Sequence, residues 1–206
     1  PDDNHVPRNF YLGVMNGAIV QVGISVMHPH LVLNAFVYER TQSAFLSGLL
    51  ATLTPLGIVW PQLLVSNLIE HRSRKKPFYV LALVLRIVAL LSIVAAIWAT
   101  GRLANPLIGV VAFMAAFFAY RSAQGIGNMP FFDIVGQTIR PMHLGPFFAY
   151  RSFFGGILVL FTGWVIVQPI LRAVPEPDSY ALLAAIATVI MAVGWALFAL
   201  AHEEEN

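Results

Sequence analysis

No cysteine occurs anywhere in the chain, and only 11% of its residues are charged. The first absence removes disulfides, thiolate metal sites, iron–sulfur clusters and cysteine nucleophiles together. The second is less than half of the roughly 25% charge typical of a soluble domain. The spacings that carry common enzyme chemistry are missing too: there is no H-E-x-x-H, no G-x-S-x-G and no glycine-rich loop ending in G-K-[ST]. The one basic run, Arg72 to Lys76, is too short for a nucleic-acid footprint. What remains is apolar. Of 206 residues, 58% are hydrophobic, and the mean hydropathy is +0.75. These values describe an integral membrane protein and exclude an enzyme built on those motifs.

A spanning helix needs about 20 mostly apolar residues. Six segments qualify: 10–31, 44–69, 78–100, 107 to just beyond 129, 146–168 and 180–201. The runs are continuous rather than alternating, so a transmembrane barrel is excluded. The chain therefore divides into an N-terminal segment 1–9, a six-helix bundle 10–201 and an acidic tail 202–206. Linkers carry turn residues: "GRLANP" after the third run, "RPMHLGP" after the fourth and "VPEPD" before the sixth. Orientation follows from lysine and arginine in the short loops. With both termini cytoplasmic, Arg8, Arg72, Arg74, Lys75, Lys76 and Arg140 lie inside, against Arg40, Arg102 and Arg172 outside. This bias predicts cytoplasmic termini, in a bacterial inner membrane.

Arginines also occur within the apolar runs. The hexapeptide "FFAYRS" appears twice, ending at Ser122 and at Ser152, and each copy carries an arginine. Arg121 lies deep in the fourth run. A charge at that depth costs about 2.5–3.5 kcal/mol on insertion scales, so it must face the interior. Arg151 is about six residues past the expected start of the fifth run, ~9 Å deep at the helical rise. That depth predicts a side chain reaching back to the interface. Arg86, about 12 Å into the third run, either reaches the interface or pairs with Glu70. Asp133 lies about 18 Å along the axis from Arg121. It is therefore left to the basic loop, with Arg74 as the expected partner.

Two stretches carry a family likeness. "SNLIEHRSRKK", Ser66 to Lys76, places Glu70 before Arg74 and Lys75 between the second and third runs. "RSAQGIG", Arg121 to Gly127, fits R-x-x-Q-G-x-G in the fourth. The first resembles the loop between helices two and three of the major facilitator superfamily, with serines for its glycines and glutamate for its aspartate. The second resembles that superfamily's helix-four pattern. The architecture is similar to the amino-terminal six-helix half of such a transporter. The resemblance implies an all-α membrane fold of two inverted three-helix repeats. It implies a conformational latch of Glu70, Arg74, Lys75 and Asp133, and a substrate or proton-coupling role for Arg121 and its motif neighbour Gln124. The fifth run lacks the exchanger signature G-x-x-x-G-P-x-x-G-G, so a drug–proton antiporter is not specifically supported.

Gly125 and Gly127 are expected to let another helix approach closely. Asn16 and Gln21 on the first run and Gln62 on the second are further candidates for a cavity, or for hydrogen bonds between helices. His28 and His30 are two apart and do not share a helix face, so no metal or haem site is expected and no cofactor is implied. The resulting expectation is a secondary transporter of a small-molecule substrate working by alternating access. Its partners would be membrane lipid and a second six-helix half, from the same gene product or a second copy. The alternative is a non-transporting scaffold or accessory subunit of a larger membrane complex.

Overall fold

The computed structural model describes residues 6–70 and 75–201, and the side chains of 7–65 and 75–201. Helix α1 spans Val6–Val26 and stops as Pro29 approaches. The residue before a proline is driven to extended backbone, and His28 has ψ 123°. A π turn over Pro29–Leu33 leads into α2, Asn34–Thr41. The helix thus extends past the expected end of the first span near 31. Phe36 and Val37 are fully buried. Phe36 meets Phe113 edge-on at 5.3 Å, and that burial holds the extra turns in place.

Helix α3 covers Ala44–Glu70 with Pro55 and Pro61 inside it, and α4 covers Lys76–Thr100. Helix α5, Pro106–Thr138, starts at Asn105, whose side chain accepts a hydrogen bond from the Leu107 N–H at 3.0 Å. Helix α6, Pro141–Thr162, continues through a π turn into α7, Gln168–Ala173. Helix α8 is Asp178–Ala199. No strand occurs among the described residues, and six helical stretches are long and apolar enough to cross a membrane.

The "RPMHLGP" segment is the clearest departure from the expected boundaries. It is not a linker: α6 begins at Pro141 and runs through Pro146. A proline in the first turn lacks only an N–H that would have no partner there. Arg151 is therefore ten residues inside its helix, about 15 Å by the helical rise.

Four helices, α1, α4, α5 and α8, each pack against two of the other long helices. Helix α1 packs against α6 and α8, α5 packs against α3 and α4, and α4 packs against α8. The core lies between them, with Ile93, Ile97, Phe113, Phe117, Leu183 and Met191 buried together. Helices α3 and α6 face outward: 17% and 11% of their most apolar stretches are buried, against 50% for α8. Ion pairs lie at the two ends. At the basic-loop end, Lys76 Nζ donates to the Ala201 carbonyl at 2.9 Å and an Arg8 guanidinium N–H to the Leu200 carbonyl at 3.1 Å. At the other, Arg102 pairs with Asp178 at 2.9 Å, and the Tyr180 hydroxyl donates to Glu39 at 2.7 Å. Burial, then the neighbouring Glu39 carboxylate, raises Glu176 above its ordinary value; Arg40, 3.4 Å away, opposes the shift.

Candidate functional site: a cavity between guanidiniums

A cavity of about 280 Å³ lies inside the helical bundle, reached by side chains of α1, α4, α5, α6 and α8. Asn16 and Gln21 enter from α1, Tyr79 and Arg86 from α4, Gln124 and Asn128 from α5, Arg151 from α6, and Trp195 from α8. Asn16 is fixed in two directions. Its amide nitrogen donates to the Gly194 carbonyl at 2.8 Å, and its Oδ1 accepts from Arg151 at 2.8 Å. The Tyr79 hydroxyl donates to the Trp195 carbonyl at 3.2 Å.

Arg151 does not reach back to the interface. Its Nη1 donates to the Gly13 carbonyl at 3.0 Å and to Asn16, and its guanidinium lies 4.8 Å over the Phe131 ring. The earlier start of α6 is the reason. At ~15 Å depth the side chain finds carbonyl and amide partners closer than water. Arg86 does not reach the interface either, and the side chain of Glu70, its other expected partner, lies outside the described residues. Arg86 is 4% exposed and donates to the Ala123 and Gln124 carbonyls at 3.4 and 3.0 Å. It also lies 5.0 Å over Trp195. These interactions hold it inside rather than at the interface.

Arg121, the arginine singled out in the sequence, is half-buried and does not line this cavity. Its Nε donates to the Thr54 carbonyl on α3 at 3.0 Å, and its Nη1 to Gln124 Oε1 at 2.7 Å. It touches the cavity only through Gln124. Asn16, Gln21 and Gln124 line the cavity, whereas Gln62 does not. Gly125 approaches the backbone of Ile58 on α3; a Cβ there would run into the Ile58 carbonyl oxygen. Gly127 faces the Arg86 guanidinium and, at 2.9 Å from where its Cβ would sit, Ala82.

At the basic-loop end, Asp133 lies 3.8 Å from Lys75. Arg74, its expected partner, and the side chain of Glu70 lie outside the described residues. The Asp133 carboxylate is 47% exposed, so this contact is worth only about 0–1 kcal/mol.

Arg86, Arg151, Asn128, Tyr79 and Trp195 complete a lining that sequence reasoning had not assembled. One signal was readable. Proline is favoured in the first turn of a helix, so Pro141 could have set the start of α6 and placed Arg151 deep. Asn128, inside "GIGNMP", carried no signal beyond being polar in an apolar run.

Among the described residues no acid lines the cavity, which holds two guanidiniums. No group of three or more metal-ligating side chains comes together among the described residues. Comparison with protein-family models, with curated proteins and with solved structures gave no match.

Proposed function

We propose that the chain is a six-helix half of a secondary transporter of the major facilitator type, moving a small solute by alternating access. The observation that carries this reading is the polar cavity within the apolar bundle, lined from five of its six spanning stretches. Ionisable groups at that depth mark solute or ion pathways. The helix neighbours give further support. Exchanging α1 with α5, α3 with α6 and α4 with α8 leaves the pattern of packed pairs unchanged. Successive spans alternate in direction, so that exchange relates antiparallel helices, as two inverted three-helix repeats would.

In this reading the basic-loop end and both termini are cytoplasmic, and the membrane is a bacterial inner membrane. Arg121, Gln124, Asn16 and Gln21 serve substrate or proton coupling, and Glu70, Arg74, Lys75 and Asp133 form the latch. The outward faces of α3 and α6 meet lipid and a second six-helix half. A scaffold of a larger complex would share the fold but would not need its cavity to open at both faces.

Thiol labelling separates the two readings. The chain has no native cysteine, so a single Asn128→Cys can be probed with a membrane-impermeant reagent in right-side-out and in inverted vesicles. Alternating access predicts labelling from both sides. Labelling from one side only would overturn the transporter reading.

A further inference from the structure

Resting on that reading, we propose that the solute is a small organic anion: a carboxylate carried on an apolar, ring-sized body. The charge comes first. Arg86 and Arg151 bring two guanidiniums to one cavity from α4 and α6, with no acid among the described lining. A cation would be repelled, and a neutral solute would leave both charges without a counterion.

The hydrogen bonding comes second. A guanidinium presents a planar fork of N–H donors. Arg151 gives only Nη1 to protein, on the Gly13 carbonyl and Asn16. Arg86 gives Nε and Nη2 to carbonyls of α5. The rest of each fork is unassigned, and a carboxylate is the planar, two-oxygen group that such a fork matches. Gln21 and Asn128 also line the cavity, and neither side chain makes a hydrogen bond to a described residue. An acceptor can take up their N–H groups.

The walls come third. Phe131, Phe132, Phe148 and Trp195 face the same space. An inorganic anion would give up its own hydration without covering any of this apolar wall. A carboxylate on a ring or short branched body meets both halves of the lining. The cavity's roughly 280 Å³ sits at the small end of ligand sites, which run from about 300 to 1,000 Å³.

Calorimetric titration of the purified chain in detergent micelles tests the assignment, with empty micelles as the blank. Benzoate, benzyl alcohol and inorganic phosphate are the probes. Benzoate is expected to bind, and the other two at least about tenfold more weakly, the size of one lost charged hydrogen bond. Arg151→Gln should weaken benzoate by about tenfold or more and leave benzyl alcohol unchanged. Arg151→Lys, which keeps the charge but not the fork, should fall between. Benzyl alcohol binding as tightly as benzoate, or no benzoate binding at all, overturns the proposal. Phosphate matching benzoate overturns its organic part. These comparisons on the unmodified chain hold even if a variant fails to fold. The outcome is also separate from the transport reading. Benzoate binding with one-sided labelling at Asn128→Cys keeps the anion site and removes transport. Two-sided labelling without benzoate binding does the reverse.

Discussion

Each arginine within the apolar stretches rests against a glycine of another helix. A Cβ on Gly127 would run into Arg86, one on Gly57 into Arg121, and one on Gly17 into Arg151. The missing side chain lets the arginine stem lie along the neighbouring helix, where carbonyl oxygens are within reach of the fork. That arrangement offsets an insertion cost of about 2.5–3.5 kcal/mol per charge. Arg121 shows what the fork contributes: it joins Thr54 on α3 to Gln124 on its own helix. A lysine can reach one of these acceptors, not both. Arg121→Lys should therefore cost about 1–2 kcal/mol of stability, read as a lower melting midpoint in detergent. Arg40→Lys, whose partner Glu176 lies 3.4 Å away at the solvent-facing end, should shift it by only ~0–1 kcal/mol. Equal shifts for the two variants would contradict this ranking.

At the scale of the helices, small residues decide which backbones touch. Gly125 brings α5 against the α3 backbone: a Cβ there would sit 3.0 Å from the Ile58 carbonyl carbon and 3.1 Å from its Cα, besides colliding with the oxygen. Gly156 on α6 has open space in front of it. Gly125→Ala should therefore destabilise the bundle by about 1–3 kcal/mol, the usual cost of overpacking. Gly156→Ala should be neutral or stabilise by up to ~1 kcal/mol through helix propensity. A thermal scan of both variants checks this, and a Gly156→Ala loss as large as that of Gly125→Ala would contradict it. The number of spans and the close-packing glycine Gly125 were legible in the sequence, because unbroken apolar runs and small residues are direct physical signals. Span boundaries were not. Prolines 141 and 146 read as a linker, yet Pro141 opens α6 and Pro146 lies within it, and the first span continues as helix beyond Pro29. The site followed the boundaries. A depth of ~9 Å instead of ~15 Å assigns Arg151 to the interface and leaves it out of the cavity. Arg86 was misplaced for a different reason. Its carbonyl partners are on α5 and its ring partner on α8, and one helix's sequence does not reveal its neighbours.

For the whole molecule, the account requires one cavity that opens alternately to the two sides of the membrane. The fold supplies the parts: a cavity lined from five helices, two outward-facing helices, and ion pairs at each end. Lys75 and Asp133 meet at the basic-loop end, where a latch would hold that side closed. The most direct test measures the labelling rate of Asn128→Cys from each face, with and without Asp133→Asn. An exposed pair is worth about 0–1 kcal/mol, so its loss can move a two-state population by no more than about fivefold. The account predicts reciprocal changes: faster labelling from the basic-loop face and slower labelling from the opposite face, each by up to about fivefold. Rates that rise or fall together on both faces, or that shift in the opposite sense, would contradict alternating access through this cavity.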